Sequence, residues 1–167
     1  LPCYESPQID WMNMVRNSCF ELGSLESWQK TDAKNAEIVS GNGWGNHFGN
    51  NSEVQATGTS KYELRLGPGR DGASQTIRGL NPGTTYRLSA WCKVSDSNQV
   101  ATLGVTQNNE NELVATSSSS DWQRLSVEFT TDSDATEVEI FILNSTSGEL
   151  GDGYAWFDNL TLPLTPQ

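Results

Sequence analysis

"TTYRLSAWCKV", Thr84 to Val94, is the stretch whose reading decides the fold. As a β-strand its side chains alternate between two faces. Tyr86, Leu88, Ala90, Cys92 and Val94 fall on one face, Arg87, Ser89, Trp91 and Lys93 on the other. The first set is a core face. The second is polar except for Trp91, the largest apolar residue of the stretch.

The same period of two continues on both sides. "KYELRL" sets Tyr62, Leu64 and Leu66 against Glu63 and Arg65, and "ASQTIR" sets Ala73, Gln75 and Ile77 against Ser74, Thr76 and Arg78. "GLNPGTTY" is a turn with Pro82-Gly83 at its apex, the pair a type II turn prefers. Downstream, "ATLGVTQ" turns Ala101, Leu103 and Val105 inward, and "RLSVEFT" does the same with Leu125, Val127 and Phe129. "EVEIFIL" sets Val138, Ile140 and Ile142 against Glu139, Phe141 and Leu143, and "GYAWFDNLTL" supplies a last strand. Helical periodicity is nearly absent; "IDWMNMVRN" has room for one short turn. About nine to eleven strands separated by Gly, Pro, Asn, Asp and Ser clusters, with no crossover helices, predict an all-β, two-sheet antiparallel β-sandwich. The stretches 40–52 and 116–121 read as loops within it.

The chain has 167 residues, enough for one domain with a proper core. Ten Lys and Arg against 21 Asp and Glu give a net charge of −11. So acidic a body argues against nucleic acid and against anionic membrane as partners. No apolar run approaches the ~20 residues of a membrane helix, and "LPCYESPQID" does not read as a signal peptide. A soluble, mature or excised piece of a longer protein is the expectation. Of the three cysteines, Cys92 has core parity and reads as a buried thiol. Cys3 and Cys19 stand either as a disulfide that staples the N-terminal segment to the body or as separate thiols. A bridge would place the chain in an oxidising compartment. Asn50, Asn144 and Asn159 open N-x-[ST] sequons, which matter only in a secreted eukaryotic protein.

The parts of an active site are scarce. The one histidine, His47, sits in a Gly/Asn loop, so triads and histidine metal clusters lack members. "GNGWGN" follows no βαβ unit and is not a dinucleotide loop. Most carboxylates fall in turns such as "TTDSDATE", where a solvated side chain explains them. A binding protein is a better expectation than an enzyme.

Several segments together resemble the jelly-roll carbohydrate-binding modules of families four, nine, sixteen and twenty-two. "NSCFELGSLESW" resembles their opening N-x-x-F-E-x-G…W, and "GTSKYELRL" their G-x-x-Y-x-L strand. "SQTIRGLNPGTTYRLSAWCKV", "DWQRLSVEFTT" and "GYAWFDNLTL" are similar to three further motifs in the family's order, so the likeness runs from Asn17 to Leu162. Residues 1–16 have no counterpart and are expected to be an extension packed on a domain of residues 17–167. The resemblance implies a two-sheet jelly roll that binds a polysaccharide or oligosaccharide without cutting it. It implies a monomeric, secreted module covalently linked to a polysaccharide-degrading catalytic domain. It also implies a structural Ca²⁺ held by Glu21 and Asp158, with Lys61 as carbonyl donor, a set of hard oxygens that would tie the two chain ends together.

On a concave outer face, Trp91 becomes a platform on which a sugar's C–H face stacks. By parity its companions are Glu63, Arg65, Arg87, Lys93, Thr102, Thr106 and Phe141. Trp44, in a Gly/Asn loop with His47 and Phe48, and Tyr154, before the last strand, are further contact candidates. Packing under a loop is the competing reading of Trp91. Trp28 and Trp122 read as packing residues, and Trp156 shares the parity of Leu160 and Leu162, hence the core. Arg65, Arg87 and Lys93 together would favour an acidic glycan such as alginate or pectin. Pairing of each arginine with Glu63, Glu128 or Glu139 would remove that preference. A structural or protein-interaction sandwich is the second reading of the whole chain, and a small lyase or hydrolase the third.

Overall fold

A computed structural model describes residues 13–20, 23–31, 35–40, 62–107, 111–146 and 152–163. Glu21, Lys61, Trp44, His47, Phe48, Cys3 and Trp11 lie outside them. Ten strands form among the described residues: β1 (Gln29–Thr31), β2 (Glu37–Ser40), β3 (Tyr62–Leu66), β4 (Asp71–Arg78) and β5 (Thr85–Val94), then β6 (Gln99–Gln107), β7 (Asn111–Ser117), β8 (Gln123–Thr130), β9 (Glu137–Thr146) and β10 (Ala155–Thr161). They make two five-stranded sheets, ordered β1-β4-β9-β6-β7 and β2-β3-β10-β5-β8, with every pairing antiparallel. This is the all-β sandwich that the alternation predicts.

The core lies between the sheets and is built from the residues of inward parity. Leu64, Leu66, Leu88, Ala90 and Cys92 come from one sheet, and Ala73, Leu103, Val105, Ile140 and Ile142 from the other; all are buried. A fully buried aliphatic side chain contributes roughly 1.5–3 kcal/mol, so the alternation itself fixes the register. The Pro82-Gly83 turn is closed by Tyr86, whose hydroxyl accepts the Asn81 N–H at 2.9 Å, while Gly83 supplies φ +60°.

Residues 13–15 are joined to the last strand and the core. Asn13 forms a bridge with Pro163, donates from Nδ2 to the Leu160 carbonyl at 3.0 Å, and accepts the Leu162 N–H at 2.9 Å. Val15 enters the core. Cys19 is disulfide-bonded, whereas Cys92 is free and buried.

Two expectations change. Trp156 is not a core residue: it pairs with Arg65 and Lys93, both outward-facing, and is half-buried. The register shifts between Asp158 and Thr161, and Asn159 takes φ +49°. That bulge reverses the parity, so Leu160 and Leu162 are core while Trp156 faces outward. The sequons at Asn144 and Asn159 are also closed to glycosylation in the folded state, because both asparagines are buried. Asn144 Nδ2 lies within hydrogen-bonding distance of the Gly69 and Gly153 carbonyls and of Gln99 Oε1.

Candidate functional site

Each sheet has one outer face, and the expected contact residues divide between the two. On the β2-β3-β10-β5-β8 face, one cross-strand row carries Glu37, Arg65, Trp156 and Lys93. The next carries Asp158, Trp91 and Arg124, and the pairing of Phe157 with Leu64 brings Glu63 beside Asp158. Lys93 Nζ stands 5.0 Å from the Trp122 ring and 5.1 Å from the Trp156 ring, and Arg65 lies 4.8 Å over Tyr154. Cations and aromatic rings therefore satisfy one another within this layer.

This face is closed at its centre. Glu63, Ser89 and Asp158 point away from the core, yet are 5%, 3% and 0% exposed. Burial pushes the Glu63 carboxyl above its ordinary range, against the opposing pull of the Lys93 ammonium. Burial likewise lowers Lys93, and Glu63 partly restores it. Glu63 Oε2 is buried with no hydrogen-bond partner among the described residues. Two of the expected cations are already paired: Arg87 with Glu128 at 3.1 Å and Arg65 with Glu37 at 2.9 Å. An opening of about 370 Å³ at the edge of this sheet is lined by Lys30, Asn35, Ala36, Glu37, Arg65, Gly67 and Pro68, with no aromatic ring among the described lining residues.

The opposite face also has buried outward groups, Ser74 at 3% and Thr102 at 8% exposure, but it carries a cleft beside a half-buried aromatic ring. The cleft, of about 200 Å³, lies on the β1-β4-β9-β6-β7 sheet, lined by Thr31, Arg70, Ser74, Thr106, Glu112, Glu139, Phe141 and Leu143. Phe141 thus sits away from Trp91, across the sandwich. Phe141 pairs with Ser74 on β4 and with Gly104 on β6. Its ring leans over Gly104 and fills the space a Cβ there would take. Gly104 in turn pairs with Val114, which is 48% exposed. The result is an apolar strip across β9, β6 and β7. Beside it, Thr106 lies between Glu139 and Glu112. Thr31, Ser74 and Thr106 supply hydroxyls. Such a floor, with a flat apolar ring flanked by hydrogen-bonding groups, suits a polyhydroxylated ring with apolar C–H patches. Parity marks Phe141, Glu139, Thr102 and Thr106 as outward in the sequence; that Arg70 and Glu112 line the same cleft follows only from the sheet order.

The implied calcium site is represented by Asp158. Its carboxylate is fully buried on a central strand, and Oδ1 accepts the Asn159 N–H at 2.8 Å. A buried carboxylate of this kind suits a hard cation. Among the described residues, no group of three or more His, Cys, Asp or Glu is placed to hold a metal.

Comparison with known proteins decides the family. The model of the carbohydrate binding domain of families four and nine matches residues 12–148. The chain belongs to this family. The module is thus one of a non-catalytic class. It is 28% identical over 150 residues to a keratan-sulfate endo-1,4-beta-galactosidase of Sphingobacterium multivorum, covering 89% of the module and 33% of that protein. The module therefore spans about a third of that relative's length. Among solved structures it is similar to the family 61 module TmCBM61 in complex with beta-1,4-galactotriose, with TM-score 0.65, 16% identity and coverage of 90% and 97% of the two chains. A family 16 carbohydrate binding module gives TM-score 0.66 and 21% identity, with 90% and 99% covered. These two likenesses show the shared fold.

Proposed function

We propose that the module binds a β-linked, galactose-containing glycan in the Phe141 cleft and thereby holds a covalently linked, secreted glycosidase on its polymer. The observation that carries this reading is the cleft itself: an aromatic ring laid over Gly104, hydroxyls at Thr31, Ser74 and Thr106, and carboxylates at Glu112 and Glu139. The sugar's C–H face stacks on Phe141 while its hydroxyls donate to the carboxylates and exchange hydrogen bonds with the hydroxyl side chains. Galactose enters the reading through the galactosidase relative and the galactotriose-bound neighbour. Linkage to an enzyme acts by effective concentration, since a tethered active site samples its polymer without dissociating.

The outer face around Trp91, Arg87, Lys93, Arg65, Glu63 and Tyr154 is assigned to packing on this reading. The ion pairs of Arg65 and Arg87 and the burial of Glu63 support that assignment, and with it the alginate or pectin preference loses its motive. A structural Ca²⁺ held by Asp158, with Glu21 and the Lys61 carbonyl, is part of the proposal; it serves stability and takes no part in binding. The test is affinity electrophoresis in gels containing β-1,4-galactan, keratan sulfate, xylan, mixed-linkage β-glucan, pectin or alginate. Retardation by a galactose-containing polymer is expected. Retardation only by xylan or glucan would leave the module without the galactan assignment.

A further inference from the structure

We propose that the cleft selects an uncharged stretch of glycan and that Glu112 and Glu139 enforce the choice; this rests on the cleft reading above. The two glutamates occupy corresponding positions on the strands either side of β6, each opposite Thr106. Two inter-strand spacings put their backbones about 10 Å apart, so they bracket whatever lies over Thr106. Both are exposed, and no ion pair among the described residues neutralises either.

The third charge of the cleft, Arg70, belongs to the other end. Gly72 pairs with Leu143, Ser74 with Phe141 and Thr76 with Glu139, so Arg70 precedes Gly72 at the end remote from the glutamates. Arg70 already has an interaction of its own. Among the described lining residues, two carboxylates against one arginine leave the floor net negative, on a chain of net charge −11. Of the cations that would welcome a sulfate or uronate, Arg65 and Arg87 are on the far face and paired with Glu37 and Glu128, and Arg78, on the cleft's own sheet two residues beyond Thr76, is paired with Glu137 at 3.2 Å. A carboxylate accepts hydrogen bonds from sugar hydroxyls and repels a sulfate ester at the same distance. The module thus reads the neutral portions of its polymer, whatever charges the remainder carries.

The experiment compares keratan sulfate with the same polymer after chemical desulfation, using the wild-type module, Glu112→Gln/Glu139→Gln, Arg70→Gln and Phe141→Ala. The wild type is expected to bind the desulfated polymer on the order of tenfold more tightly, a preference that shrinks with added salt. The double glutamine variant should gain on the order of tenfold for the sulfated polymer and lose the preference. Tighter wild-type binding to the sulfated polymer overturns the proposal; if Arg70→Gln then abolishes that binding, the arginine sets the selectivity instead. A wild-type preference unchanged in the double variant also overturns it. Phe141→Ala separates the two claims. If it abolishes binding while the sulfated polymer is preferred, the cleft reading stands and only the charge selection fails. If it leaves binding intact, or if neither polymer binds, both fail.

Discussion

The ring of Phe141 lies across Gly104 of the neighbouring strand, in the space that any side chain on Gly104 would need. A glycine in the middle of a central strand carries an entropic penalty and leaves the sheet without a packing group. Here it makes the seat of an aromatic platform. Gly104→Ala is expected to keep the sandwich, because the obstructing atoms belong to a side chain that can swing away. Overpacking should cost about 1–3 kcal/mol in denaturant unfolding. The displaced ring should weaken glycan binding on the order of tenfold, a loss of about 1.4 kcal/mol. Calorimetric titration beside a circular dichroism spectrum checks both parts, and full affinity in a folded Gly104→Ala protein would contradict the platform.

The Glu63 carboxyl tests the closed face. Its folded pKa is raised, chiefly by burial, so the native state holds a proton that the unfolded chain releases near pH 4.5. Stability from this group is therefore lost as pH rises from that value through the folded pKa. Glu63→Gln removes the component. The stability of the variant relative to wild type should rise with pH across that window and then level off. Urea unfolding at a series of pH values measures the difference, and a difference that falls with pH would contradict the assignment.

Cys92 is buried in the core, and burial pushes its thiol up to about 12. At pH 8 the thiolate fraction is then on the order of 10⁻⁴, and the sulfur has no access to reagent. A thiol-specific reagent should leave Cys92 unmodified in the native module and label it at once in denaturant. Rapid native labelling would show that the β5 core is open.

Asp158 carries the calcium proposal. Chelation should lower the melting temperature and added Ca²⁺ restore it, with stabilisation of about 2.7 kcal/mol at a hundredfold excess over the dissociation constant. Asp158→Asn should abolish the response to both. A melting temperature indifferent to chelator would remove calcium from the account.

Much of the fold is legible in the sequence because β parity is strict. The core set of β5, β6, β8 and β9 follows from counting by two, and the burial of Leu88, Val105, Phe129 and Ile142 agrees residue by residue. Counting fails where the chain departs from the pleat, as at Asn159, whose positive φ carries Leu160 back to the core and leaves Trp156 outside. The site was harder to read. Parity says that Trp91 and Phe141 both point away from the core, but not that their strands belong to different sheets. Only long-range pairing, β5 with β10 and β8 but β9 with β4 and β6, sends them to opposite faces. Glu112 and Glu139 flank Thr106, and Arg70 joins the same cleft at its other end, through that same pairing, and a sequence window contains no trace of it.

The most direct test of the account is affinity electrophoresis in β-1,4-galactan of three proteins: wild type, Phe141→Ala and Trp91→Ala. Wild type and Trp91→Ala should be retarded alike, and Phe141→Ala should migrate freely. Retardation that survives Phe141→Ala and vanishes in a folded Trp91→Ala protein would contradict it and move the site to the other face.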